Sequence, residues 1–386
     1  MTSAALYLDN AATSFPKPAS VTDAVCEYMT QVGASSGRAY YQGAVEAGNT
    51  LFEVREKLAS LCGVSNPMRA VFSASATDAL NTAILGCIEP GDHVITTSFE
   101  HNSTIRPLMA LKQRGDIELS IVEADEQFEL SEASLRACVQ SNTKALVFNW
   151  ASNVFGTCAP LSMLARFAKH QGLISICDAS QAMGVVPLDM ATLGLDLVAF
   201  PAHKGLLGPM GLGVLMINDS FDIKRLKPLT FGGTGSRSDD ICQPDFLPDK
   251  YESGTHNMPA IAGLNAALDA LSEYGIERVY AHKRALTEAF YLGAKSIARL
   301  QTYVDWEQIQ TGTISFNLAG VSCSELGLVL AERYRIQTRV GLHCSPLAHR
   351  SMGTFPEGAV RISFGIYTTP ACVERLIAAL KEVADE

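Results

Sequence analysis

Between Ala70 and Ile217, short apolar and β-branched runs alternate with stretches whose apolar positions recur at helical spacing. This is the pattern of a mostly parallel sheet covered by helices on both faces. The runs predict strands at Ala70–Ser73, His93–Thr97, Glu118–Val122, Ala145–Asn149, Leu173–Cys177, Leu195–Phe200 and Gly213–Ile217. Gly91-Asp92, Arg114-Gly115-Asp116 and Gln171-Gly172 punctuate them as turns. Past Thr255-His256-Asn257-Met258-Pro259 the period changes. A long helical stretch is expected from Ala260 to about Leu300, then a strand at Thr313–Leu318, a helix at Ser324–Tyr334 and a closing helix from Pro370. The expected fold class is α/β: a large domain on a mostly parallel seven-stranded sheet, with a smaller α+β C-terminal domain packed over it. The expected divisions are 1–20, an N-terminal segment packing with the small domain, 21–255, the large domain, and 256–386, the small domain.

Composition narrows the function. The 386 residues, 47% of them hydrophobic, suffice for a large core. The formal net charge of -10 is dispersed, with no basic stripe, which argues against nucleic acid and for a small diffusing substrate. No apolar run approaches the roughly 18 residues of a membrane span. Met1–Leu6 lacks the basic flank and apolar core of a secretory signal, so a cytoplasmic protein without membrane attachment is expected. The ten cysteines include no Cys-x-x-Cys pair, and Cys62, Cys87, Cys138, Cys177 and Cys372 read as small core hydrophobes. Neither they nor the eight histidines have metal-cluster spacing, and no metal is expected.

Two strand ends carry the strongest chemical signal. Asp178 follows the apolar run Leu173–Cys177, and Lys204 follows Leu197-Val198-Ala199-Phe200-Pro201-Ala202-His203. Parallel sheets bind ligands at these ends. A buried carboxylate needs a partner, and an amine beside it suits pyridoxal phosphate: the lysine takes the aldehyde and the acid pairs with the pyridinium nitrogen. The helix opened by Ser75-Ala76-Thr77 offers free N–H groups to a phosphate, although Ser and Thr are also ordinary caps. His101, just past the strand ending at Thr97, could stack on a flat ring or be a plain loop histidine. Asn153 could donate to a ring oxygen or simply form a turn. Cys344 lies in the polar Arg339-Val340-Gly341-Leu342-His343-Cys344-Ser345-Pro346 loop, where a thiol is exposed and a thiolate can be held. Arg361 offers a guanidinium fork to a carboxylate, or makes an ordinary salt bridge.

These motifs, in order and spacing, closely resemble the class V aminotransferases, and within them the cysteine desulfurase branch that includes selenocysteine lyases. The likeness runs from Tyr7-Leu8-Asp9-Asn10-Ala11-Ala12-Thr13 through Glu100-His101-Asn102, Asp178-Ala179-Ser180-Gln181, His203-Lys204 and Gly232-Gly233-Thr234-Gly235-Ser236. It continues with Glu252-Ser253-Gly254-Thr255, His343-Cys344 and Arg361. The resemblance implies the aminotransferase-like type I fold of pyridoxal-phosphate enzymes and a homodimer with shared active sites. Lys204 would be the Schiff-base lysine, Asp178 the partner of the ring nitrogen, and His101 stacked on the ring. Gln181 and Asn153 would address the ring oxygen; Ser75, Ala76, Thr77 and His203 would address the phosphate, and Gly254 and Thr255 the neighbouring subunit's phosphate. Arg361, with Arg339 and Asn153, would hold the substrate carboxylate. Cys344 would take sulfur from L-cysteine as a persulfide, leaving L-alanine, and a second thiol or a sulfur-acceptor protein would then remove it. The alternatives are a selenocysteine lyase, another carbon–sulfur lyase or an aminotransferase of the same fold, or a non-catalytic sulfur-transfer scaffold. Three positions depart from the family pattern: Pro201 in the phosphate cup, Tyr41 where relatives often carry histidine, and His256 in place of a common proline.

Overall fold

A computed structural model describes residues 5–37, 39–124 and 130–386. Met1–Ala4 of the expected N-terminal segment and Arg38 beside Tyr41 lie outside these described residues. The chain opens with β1 (Leu6–Tyr7), α1 (Ala19–Glu27) and α2 (Gln42–Cys62). Then follow β2 (Ala70–Ser73), α3 (Ala76–Cys87), β3 (His93–Thr97), α4 (Asn102–Gln113), β4 (Glu118–Val122), α5 (Glu132–Ala137) and β5 (Thr143–Asn149). Next come α6 (Leu161–Gln171), β6 (Ile174–Asp178), α7 (Met190–Leu193), β7 (Leu197–Pro201) and β8 (Gly213–Ile217). Strands β2 to β8 form one seven-stranded sheet in the order β2-β8-β7-β6-β5-β3-β4, parallel except for β8, which runs antiparallel to both neighbours. After β4 the chain crosses back over β3 to β5, so loops leave β3 and β5 in opposite directions and open a crevice at the strand ends.

Alternation along each strand fills two cores. Leu146 and Phe148 of β5, with Val198 and Phe200 of β7, join the larger core on one face. Ala145, Val147, Leu197 and Ala199 join the second core on the other face, with α3 and α4 side chains such as Leu80, Ile84 and Leu108. Cys62, Cys87 and Cys177 are buried in these cores, while Cys138 and Cys372 are partly buried and pack against the larger one.

The expected single helical stretch from Ala260 is two helices, α8 (Met258–Tyr274) and α9 (Ile276–Ala294). Gly275 breaks it: its φ of 88° suits glycine and does not continue a helix. Helix α8 packs on α1 and α2. Beyond α9 lie β9 (Leu300–Thr302), β10 (Thr313–Leu318), α10 (Cys323–Glu332), β11 (Ile336–Gln337), β12 (Arg339–Gly341), α11 (Pro346–Ser351), β13 (Ala359–Ser363) and α12 (Pro370–Asp385). They build an antiparallel sheet ordered β12-β13-β10-β9, and β1 pairs in parallel with β11.

One buried ion pair anchors the segment holding Gly254 and Thr255. Glu252 meets Arg55 at 2.5 Å, with both side chains nearly solvent-free, and accepts the Phe72 N–H at 2.6 Å and a contact from His256 at 2.7 Å. Burial alone would raise the Glu252 carboxyl, but the charge and hydrogen bonds of Arg55 and His256 hold it below its usual value. Its contribution to stability is therefore present above the ordinary carboxylate pKa and is lost as pH falls through the depressed one. Glu252→Ala strands the Arg55 charge, and a loss of about 3–5 kcal/mol in urea unfolding at neutral pH is expected; a loss below about 1 kcal/mol would show the pair to be dispensable.

Candidate functional site

The ends of β3, β5, β6 and β7 converge on a cavity of about 200 Å³. Asp178, the last residue of β6, is only 2% exposed, and its Oδ1 accepts the Ser180 N–H at 2.9 Å. Lys204 follows β7 into the same cavity. Among the described residues, Asp178 has no ion-pair partner within 4 Å and the Lys204 amine has neither hydrogen bond nor ion pair. Desolvation pulls Lys204 down to about 8, with the Asp178 charge opposing it. Glu100 spans the crevice between β3 and β5, accepting the Thr97 hydroxyl at 2.7 Å and the Asn149 N–H at 3.0 Å. Burial pushes Glu100 up to about 8, so it sits mostly uncharged at neutral pH and leaves Asp178 as the nearby anion.

The cavity's other wall is the start of α3. Ser75 caps this helix through its bond from the Asp78 N–H at 3.1 Å, while Ala76 and Thr77 line the cavity. The loop packs tightly on β8: a Cβ at Gly213 would sit 2.2 Å from the Ser75 carbonyl carbon. Thr77 Oγ1 lies 2.7 Å from Ser103 Oγ, which is 2.9 Å from His101 Nδ1. Because His101 Nδ1 also accepts the Ser103 N–H at 3.1 Å, the ring proton sits on Nε2. Burial lowers His101 to about 4, so it is neutral. His203 is likewise lowered to about 4, chiefly by burial, and its Nδ1 is buried without a partner. Pro201 lines the cavity and has no N–H to give.

Asn153 lines this cavity, but its amide is engaged elsewhere. Nδ2 donates to the His343 carbonyl at 2.7 Å, and Oδ1 accepts the Ser345 hydroxyl at 2.7 Å. Gln181 also lines it and donates to the Ala11 carbonyl at 2.9 Å. Cys344 is exposed, and its carbonyl accepts the Asn102 N–H at 2.7 Å. Arg361 is buried; it donates to the Asn153 carbonyl at 2.9 Å and to Asp9 at 2.8 Å, while its Nε is unpartnered. Arg339, directly opposite Arg361 on the neighbouring strand, also pairs with Asp9, at 2.9 Å. Asp9 thus offsets two adjacent cations that would otherwise repel.

The structure therefore gathers Ser75, Ala76, Thr77, His101, Asn153, Asp178, Gln181, His203 and Lys204 around one cavity. Arg361 bonds the lining residue Asn153, Arg339 shares Asp9 with Arg361, and Cys344 is held by Asn102, next to the lining residue His101. Gly254 and Thr255 instead line a separate cleft with Phe72, Asp78 and Glu252. Of the departures from the family pattern, Tyr41 is 59% exposed at the start of α2 and His256 is bonded to Glu252. The sequence by itself assigns no role to Asp9, Glu100, Ser103 or Ser345. Glu100 and Ser103 flank His101 within one motif, a signal that could have been used; Asp9 and Ser345 acquire their roles only through distant partners.

Residues 6–376 match the Aminotransferase class-V family. A protein of Methanothermobacter thermautotrophicus named "Probable cysteine desulfurase" is 32% identical over 385 residues, covering 98% of this chain and 94% of that one. A protein of the same name from Streptomyces coelicolor is 32% identical over 389 residues, covering 98% and 92%. The apo structure of a cysteine desulfurase from Thermococcus onnurineus is similar with a TM-score of 0.91 at 26% identity, covering 99% of this chain and 95% of that one.

The lowered Lys204 amine has a direct consequence. Below its pKa it is protonated and unreactive, so acetylation of Lys204 in cofactor-free protein, followed by peptide mass spectrometry, should rise with a midpoint near pH 8. A midpoint near the ordinary 10.5 would show that burial does not set its reactivity.

Proposed function

The chain belongs to the class-V aminotransferase family, and from that premise we propose that it is a cysteine desulfurase that takes the sulfur of L-cysteine onto Cys344 and releases L-alanine. Its cofactor is pyridoxal 5′-phosphate. The residues present fit that group: among the described residues, a buried acid without a cation, an amine without a partner and an orphaned His203 nitrogen, beside the N-terminus of α3. Bound there, the cofactor supplies an aldehyde that takes up an amine and a pyridinium that draws electrons from the substrate's α-carbon.

The chain's own residues do the rest. Asp178 would lie opposite the ring nitrogen and favour its protonated form. The N–H groups at Ala76 and Thr77, with the neutral His203, would hold the phosphate, since the start of a helix favours an anion. His101, neutral and fixed by Ser103, offers a flat ring face. Lys204, lowered to about 8, keeps part of its amine unprotonated at neutral pH, enough to act as nucleophile and then to carry the α-proton. The unpartnered Nε edge of Arg361 takes the substrate carboxylate, with Asp9 and the Asn153 carbonyl fixing the fork. Cys344 attacks the substrate sulfur: its S–H gives way to an S–S bond, the substrate's C–S bond breaks, and a proton completes alanine. The observation that carries this reading is an exposed thiol tethered at the rim of a cavity that holds both Lys204 and Asp178.

The persulfide passes on to a second thiol or an acceptor protein. The working form is a homodimer in which Gly254 and Thr255 complete the neighbouring subunit's phosphate site. Their cleft is separate from the chain's own Lys204 cavity, and Tyr40 and Phe231 stand 97% and 72% exposed in the single chain. The division at 1–20, 21–255 and 256–386 belongs to the same reading, with α8 bridging onto the large unit. The cytoplasm suits ten unpaired cysteines, one of which must remain a thiol. No helix among the described residues is long and apolar enough to cross a membrane.

Reconstituted protein given L-cysteine should form alanine. Cys344→Ala should lower that rate about a hundredfold or more while the absorbance of bound cofactor stays unchanged. No alanine from the unaltered protein, or an undiminished rate in Cys344→Ala, would overturn the reading.

A further inference from the structure

Cys344 is held by its neighbours. His343 and Cys344 both adopt left-handed backbone, with φ of 50° and 60°, a conformation that residues other than glycine keep only where the surroundings impose it. The strongest constraint is Asn153, whose amide grips the loop on both sides of the cysteine. It donates to the His343 carbonyl and accepts from the Ser345 hydroxyl, each at 2.7 Å. Ser345 is fully buried and Asn153 is 5% exposed, so both bonds are shielded from water. Behind them, His343 Nδ1 lies 3.2 Å from His349 Nε2, and His349 Nδ1 lies 2.7 Å from Thr354 Oγ1. The Asn153 carbonyl also receives Arg361. One residue therefore joins the wall of the cofactor cavity, the guanidinium and the backbone flanking the thiol.

We propose that Ser345 is a positioning residue which, through the Asn153 amide, fixes the reach of Cys344 over the cavity and so sets the efficiency of sulfur transfer. This rests on the desulfurase reading and deepens it. Attack by a thiol on a substrate sulfur needs close, aligned approach, and misplacement by about 1 Å can cost about a hundredfold. A loop with two left-handed residues and a severed tether has other conformations to enter.

The test uses Ser345→Ala, which removes one arm, and Ser345→Thr, which keeps a hydroxyl. In cofactor-free protein, iodoacetamide labelling is read at the Cys344 peptide by mass spectrometry. Ser345→Ala should label about threefold faster or more, and Ser345→Thr should stay within about twofold of the unaltered protein. In reconstituted protein, Ser345→Ala should lower kcat for alanine about tenfold with KM for L-cysteine within about twofold. Unchanged labelling and kcat in Ser345→Ala, or equal defects in both variants, would overturn the proposal. If Ser345→Ala does not fold, Asn153→Asp is read for faster Cys344 labelling, because it replaces the amide donor facing the His343 carbonyl. Failure of the unaltered protein to make alanine would sink the desulfurase reading alone, since the labelling comparison needs no turnover.

Discussion

The site depends on two groups of opposite charge, a buried acid and a half-buried amine, that the chain brings to one cavity without joining them. Asp178 ends β6 and Lys204 follows β7, and these strands are parallel neighbours with Asp178 in register with Ala199. Burying either group alone is costly. A direct ion pair would relieve both, yet among the described residues the amine has no bonded partner, and it is lowered to about 8. That residual tension is what a flat cofactor, cationic at one edge and an aldehyde at the other, would relieve. Neutral Glu100 supports the arrangement by tying β3 to β5 without adding a second negative charge.

The second sheet supplies what the first cannot. β12 and β13 carry Arg339 and Arg361 side by side, and Asp9 from the N-terminal segment pairs with both. The pairing of β1 with β11, and the Ser363 N–H donating to the Leu8 carbonyl at 2.7 Å, fix Asp9 in place. The segment between β12 and α11 then carries Cys344 back to the mouth of the cavity, where Asn102 and Asn153 receive it. Chemistry at the cavity is thus assembled from three stretches of chain far apart in sequence.

Much of this was readable from residue order. Apolar runs ending in Asp178 and leading to Lys204 define strands buried on both faces, and their ends are where a parallel sheet binds ligands. Boundaries were less legible. β5 begins at Thr143, two residues before its apolar run, and β6 reaches Asp178 itself, because pairing with neighbours extends strands past the point where hydrophobicity stops. The break at Gly275 was hidden by helical spacing on both sides of it. Asp9 and Ser345 could not be assigned because their partners lie 352 and 192 residues away, and a loop serine or aspartate looks locally like a cap. Arg361 read as an open fork; the fold places Asp9 and the Asn153 carbonyl on it and leaves only Nε unpartnered.

The most direct measurement is the site of cofactor attachment. Protein reconstituted with pyridoxal 5′-phosphate is reduced with borohydride and digested, and its peptides are mapped by mass spectrometry. The account predicts the pyridoxyl-phosphate mass on the Lys204 peptide. No label, or label on another buried amine such as Lys283, which burial also lowers to about 8, would contradict it.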